Sequence, residues 1–175
     1  MANLYSKVRH DIKTGDLIAW KTTKITSFFT FVLYLYQKIL GADFTHVGVA
    51  FREGDRLFVL EATPPAVRLH PLSLSGDFYH IPVSYDQQSS QIDYLLLTLG
   101  RKYSIFDLLR SMFKLGNDNS DYYCSELCAD FYNAVGYIDN EWAGVTPDSL
   151  VNEVVKTSGT SPIFVKNDRG NAHEL

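Results

Sequence analysis

The most regular alternation of apolar and polar residues lies between Thr45 and Thr63, THVGVAFREGDRLFVLEAT, where two β-branched and aromatic runs flank Gly54-Asp55. A two-residue Gly-Asp loop is a hairpin turn. It pairs Glu53 with Arg56 and, continued along the ladder, sets Gly48 opposite Glu61 and His46 opposite Thr63. Paired residues share a face and side chains alternate with period two. His46, Gly48, Val59 and Glu61 are therefore predicted on one side of the sheet, and Val47, Val49, Phe58 and Leu60 on the other. A three-residue loop would put His46 and Glu61 on opposite faces.

A second pattern begins at Cys124. The apolar positions Cys124, Leu127, Cys128, Phe131 and Val135 follow the stripe of a core-facing helix, and Gly136 suits the residue just past its end. Thr146-Pro147 supplies a capping residue and a proline for the first turn of another helix. Thr14-Gly15-Asp16 reads as a turn feeding a strand at Leu17-Ile18-Ala19-Trp20. Pro64-Pro65 ends the hairpin, and Val67–Leu69 and Tyr79–Val83 read as short strands. Helices are expected from Ser89 or Ser90 to Leu99 and from Ile105 to Leu115, and a loop at Gly116–Ser120. The chain is expected to fray from Asn167.

The run Ile25–Leu40, ITSFFTFVLYLYQKIL, predicts a buried or half-buried helix capped at Thr26 or Ser27 and ending at Gly41. It is shorter than the ~20 apolar residues of a membrane span and contains Gln37 and Lys38. Docking on a membrane surface is the alternative reading of this run.

Length and composition narrow the class. With 175 residues, 46% hydrophobic and 21% charged, the chain fits one globular domain at residues 1–175, with no repeat or linker to divide it. The net charge of −4 and the scattered Lys and Arg argue against nucleic acid as a partner. Two cysteines four residues apart are not a disulfide framework, and the polar N-terminus lacks the apolar core of a signal peptide. The expectation is a cytoplasmic, reducing location, with a phage- or virus-encoded origin left open.

Candidate chemistry centres on three residues. Cys124 opens its helix on the inward stripe, where a neighbouring His⁺ or the helix N-terminus activates a thiol and first-turn N–H groups can hold an oxyanion. A lone helical cysteine is otherwise a small core residue, the reading given to Cys128. His46 shares a predicted face with Glu61, a carboxylate able to fix its tautomer. The plain alternative for Glu61 is an ion pair with Arg68. His10, His70, His80 and His173 have no such neighbour in sequence and are read as structural. Zinc held by Cys124, Cys128 and His46 is disfavoured, because structural zinc sites use CxxC pairs and there is none. No metal and no cofactor are expected.

Together Gly15-Asp16-Leu17-Ile18, Thr45-His46-Val47-Gly48-Val49, Leu60-Glu61-Ala62, Tyr122-Tyr123-Cys124-Ser125-Glu126-Leu127 and Pro147 resemble the YiiX/YebB-like branch of the NlpC/P60 superfamily, circularly permuted papain-like enzymes. The resemblance spans about Thr14 to Leu150. It implies an α+β fold, an antiparallel sheet or partial barrel packed against helices. It also implies a Cys-His-Glu triad of Cys124, His46 and Glu61, with histidine before cysteine in chain order, and a softer assignment of Tyr123, Ser125 and Thr45 to substrate or oxyanion contacts. The implied activity is cleavage of an amide in a small peptide, amino-acid amide or cell-wall fragment through a thioester. The alternatives are a thiol acyltransferase or lipase acting on lipids, and a non-catalytic binding module.

Overall fold

The computed structural model describes residues 3–21, 34, 37, 38, 41–83, 93, 96–104, 122–138 and 145–169. Its centre is a seven-stranded sheet in the order β1-β7-β6-β2-β3-β4-β5. The strands are β1 (Asn3–Leu4), β2 (Leu17–Trp20), β3 (His46–Glu53), β4 (Arg56–Thr63), β5 (Ala66–Pro71), β6 (Phe78–Ile81) and β7 (Ile163–Lys166). The described helices are α1 (Tyr5–Val8), α2 (Cys124–Ala134) and α3 (Pro147–Ser158). The architecture is α+β. The sheet is antiparallel except where β1 runs parallel to β7.

The pleat sorts residues into two cores. Leu17, Ala19, Val47, Val49, Leu60 and Ala62 pack with Leu127, Cys128 and Phe131 of α2 and Leu150 and Val154 of α3. Ile18, Ala50, Leu57 and Val59 pack on the other face with Tyr5, Ile12, Leu72, Phe78 and Val165. The alternation of Leu17, Ile18 and Ala19 between the two clusters is the period-two signature of a strand buried on both faces.

The β3–β4 turn is the two-residue Gly54-Asp55 loop, with Glu53 paired to Arg56 and Val49 to Leu60. The ladder stops there, so the expected Gly48–Glu61 and His46–Thr63 pairs are not formed. β3 stays paired with β2 through Trp20–His46, and β4 stays paired with β5 through Glu61–Arg68. At this end β3 passes very close to β4. A Cβ on Gly48 would lie 2.5 Å from Val59 Cγ2 and 2.8 Å from Leu60 O. Only glycine allows that approach.

Both long helices begin at defined caps. Tyr123 precedes α2 with extended backbone (φ −110°, ψ 170°), and past its end Gly136 takes the left-handed conformation at φ 65°. Thr146 caps α3 in a reciprocal capping box with Ser149, and Pro147 occupies the first turn. Asp148 in that turn accepts the N–H groups of Asp43 and Phe44, both at 2.9 Å, which ties α3 to the chain entering β3.

Several expectations need correction or fall outside the described residues. Asn167 is buried rather than frayed: its amide donates to the carbonyls of Leu72 (3.1 Å) and Ser73 (3.3 Å) and to that of Ser75, and its N–H donates to Asp77 at 2.8 Å. Asp168 next to it accepts from the Ser6 N–H at 2.9 Å. The helix expected at Ile25–Leu40 lies largely outside the described residues, as do most of Ser89–Leu99 and all of Ile105–Leu115 and Gly116–Ser120. Among the described residues no helix is long and apolar enough to cross a membrane.

Candidate active site

The open end of the hairpin is where His46, Glu61 and the start of α2 meet. His46 is the first residue of β3, Glu61 is near the end of β4, and Cys124 is the first residue of α2. His46 Nε2 lies 2.7 Å from Glu61 Oε2. The ring also hydrogen bonds with the Cys124 side chain. With an ionised carboxylate as acceptor, Nε2 carries the proton, and Nδ1 is the ring nitrogen left for sulfur. Trp20 packs beside the imidazole, with ring centroids 5.2 Å apart, and limits its rotation.

Glu61 has a second partner. Arg68, directly across the β4–β5 ladder, donates from Nε at 2.9 Å and Nη2 at 2.8 Å, both to Glu61 Oε1. Each carboxylate oxygen therefore serves one cation. The sequence offered the His46 contact and the Arg68 contact as competing readings, and the structure contains both. Arg68 was not among the expected site residues. Its signal was its position seven residues after Glu61 across a short turn.

The electrostatics follow from these contacts. Burial disfavours charge on His46, but hydrogen bonds with Cys124 and Glu61 and the charges of both outweigh it and raise the ring from 6.5 to about 10. Burial pushes the Glu61 carboxyl up, yet His46 and Arg68 lower it from 4.5 to about 2. The ring and the carboxylate are thus charged together at neutral pH. Cys128 lies one helical turn deeper and is fully buried. Burial, with the charges of Cys124 and Glu61, pushes its thiol well up.

The softer expectations separate. The Ser125 hydroxyl donates to Val145 O at 2.8 Å, and that side chain is fully buried. It fastens α2 to the segment before α3. The Thr45 hydroxyl donates to Trp20 O at 3.3 Å and braces the β2–β3 crossing. Tyr123 is fully buried in the core beneath α2. A residue absent from the expectations, Tyr103, lies within electrostatic reach of both Cys124 and Tyr123, and burial pushes its phenol far up, so it stays neutral. Its backbone is fixed by Pro65 O at 3.0 Å and by a bridge to Tyr122.

A second histidine–carboxylate pair lies elsewhere. His80 Nε2 is 2.7 Å from Asp16 Oδ2, and both residues are buried. The Asp16 carboxylate also accepts the N–H groups of Lys13 (2.8 Å) and Val83 (2.9 Å). The Gly-Asp motif is therefore a staple joining the turn before β2 to the end of β6. It ties down backbone N–H groups that burial would otherwise leave unmet.

No family model matches this sequence. An uncharacterised protein of Acanthamoeba polyphaga mimivirus, R372, is 35% identical over an 80-residue alignment that covers 41% of this chain. The match spans 32% of that viral protein's length. Among solved structures, the crystal structure of YiiX from Escherichia coli O157:H7, described as a metalloprotein, aligns at a TM-score of 0.53 with 19% identity over 90% of each chain. The fold is YiiX-like.

Proposed function

We propose that this chain is a cysteine hydrolase of the permuted papain-like, NlpC/P60 type. It would cleave an amide in a peptide or peptidoglycan-like substrate through a thioester. The observation that supports this reading is the chain of contacts from Glu61 through His46 to Cys124 at a helix tip. The YiiX-like fold supports it at the level of architecture.

The Cys124 sulfur attacks the carbonyl carbon while its proton is carried by the His46 imidazolium, which Glu61 holds. Charge collects on the carbonyl oxygen. The first helical N–H engaged in an i−4 bond is that of Leu127, donating to Tyr123 O at 3.1 Å. The Cys124 N–H at the tip is therefore a donor for the oxyanion. We assign the second donor to the Tyr103 hydroxyl, neutral and within electrostatic reach of the thiol. The C–N bond breaks as His46 returns its proton to the departing amine. Water, deprotonated by His46, then attacks the thioester carbonyl, releasing the acid and the Cys124 sulfur. Arg68 acts through Glu61: it occupies Oε1 and leaves Oε2 turned toward His46.

The metal chemistry attached to the YiiX neighbour's description does not fit these residues. Among the described residues no group of three or more His, Cys, Asp or Glu is placed to hold a metal. Glu61, the carboxylate at the site, already carries a guanidinium on Oε1. The lipid-directed alternative draws on Ile25–Leu40, which lies largely outside the described residues, and no described feature favours it.

The test is Cys124→Ala assayed on peptide and peptidoglycan-fragment amides. The expected result is loss of turnover with circular dichroism unchanged. A folded variant that still turns over substrate overturns the reading.

A further inference from the structure

A cavity of about 280 Å³ lies between α1, the β3–β4 turn and the residues after β7. Its position in the hairpin separates it from Cys124, because the eight residues of β3 carry the chain about 25 Å from His46 to the turn. Its wall includes Tyr5, Arg9, Asp55, Arg56, Ser73 and Arg169. Three arginines from three separate segments thus line one small space, in a chain whose net charge is −4.

None of the three has an ion-pair partner among the described residues. Asp55, the one acid among the described residues of the wall, meets Arg9 through its backbone carbonyl and not its carboxylate. The Asp168 carboxylate accepts from the Ser6 N–H at 2.9 Å and from the Ser6 hydroxyl and feels the charge of Arg169, but forms no ion pair with it. Arg9 Nε is buried with no hydrogen-bond partner among the described residues. A buried donor left unmet is costly and marks a place where a partner fits.

The surroundings add to the positive field. The Tyr5 ring, almost fully buried, hydrogen bonds with Arg9 and lies in the field of Arg9, Arg169 and Arg52. Arg52 spends its own donors on the carbonyl of Ile12 (3.1 and 2.7 Å) and on that of Arg9. It therefore contributes charge without filling the cavity. Guanidinium forks match the oxygens of phosphate in shape and charge, and three of them suit a dianion better than a single carboxylate.

We propose that this cavity is a binding site for a phosphoryl group, with Arg56 and Arg169 as its outer clamps and Arg9 as its inner donor. The site is independent of the chemistry at Cys124, and its occupant carries its phosphate either on a small soluble ester or on a lipid headgroup.

The test is calorimetric and thermal titration of the full chain with inorganic phosphate against chloride at matched ionic strength. Saturable binding and a rise in Tm with phosphate are expected. The variant Arg56→Gln/Arg169→Gln removes two exposed side chains without ion-pair partners and is expected to keep the fold. It should lose at least tenfold in affinity. Glycerol 3-phosphate and vesicles of phosphatidic acid in phosphatidylcholine then separate the sources: competition by the soluble ester alone assigns a small molecule, and vesicle sedimentation abolished by the double variant assigns a lipid. Failure of phosphate to exceed chloride, or equal binding by the double variant, overturns the proposal. Rates of Cys124 alkylation should be the same in the presence and absence of phosphate.

Discussion

Replacing Arg68 by methionine isolates what the guanidinium does for Glu61, because the aliphatic stem is largely kept. The Glu61 carboxyl falls from 4.5 to about 2, which at ~1.36 kcal/mol per unit corresponds to roughly 3 kcal/mol of preference for its charged form. His46 and Arg68 share that preference. The Arg68 side chain is 52% exposed, so solvent screens its part, leaving on the order of 1 kcal/mol. The sign follows from linkage. A carboxyl lowered in the folded state contributes stability above its ordinary 4.5 and loses it as pH falls toward about 2. Arg68→Met should therefore cost about 1 kcal/mol at pH 7, and the gap to wild type should narrow as the pH is lowered from 5 to 3. Urea unfolding at a series of pH values measures both. A Glu61→Gln background should reduce the cost of losing Arg68. Equal stability at pH 7, or a gap that does not change on acidification, would refute the assigned coupling.

Other outcomes follow from the same geometry. His46 is raised from 6.5 to about 10, so its contribution to stability is full below pH 6.5 and is lost as pH rises through about 10. His46→Gln should flatten the alkaline arm of the stability profile and slow alkylation of Cys124 by iodoacetamide at pH 6. An unchanged alkylation rate in that variant would break the link between ring and sulfur. Tyr103→Phe should lower turnover by ~10²-fold while leaving alkylation of Cys124 unchanged, since displacement of iodide forms no tetrahedral oxyanion for the donor to stabilise; equal losses in both assays would deny it that role. Gly48→Ala should destabilise by roughly 2 kcal/mol, because its Cβ would sit 2.5 Å from Val59 Cγ2 and 2.8 Å from Leu60 O. Thermal unfolding close to wild type would contradict the close strand approach.

What could be read from the sequence was local. Gly54-Asp55 sets the hairpin register because the loop length alone decides which residues pair. The stripe beginning at Cys124 marks the helix because it repeats for three turns. Extrapolation of the ladder to His46 and Thr63 failed, since the pairing rule holds no information about where strands part. Arg68 was weighed only as a rival to His46, because a pairwise reading gives a carboxylate one partner while its two oxygens accept two. The Asp16–His80 staple joins residues 64 positions apart, and no periodicity reports on that. The resemblance drew Ser125 and Thr45 toward the site, but their hydroxyls serve backbone carbonyls. The two-residue β1 and four-residue β7 are too short to show alternation, and the burial of Asn167 depends on a turn almost a hundred residues earlier.

Among the described residues, β7 is held between β1 and β6, and β1 has no other neighbour in the sheet. During synthesis the first strand therefore emerges with nothing to pair against until the residues around Ile163–Lys166 leave the ribosome. The sheet edge at β6 stays bare for the same interval, a template for pairing with other nascent chains. Completion of the fold is a late event that brings the two ends of the described chain together, and a ribosome stalled shortly before Ile163 would display an incomplete sheet open to chaperones.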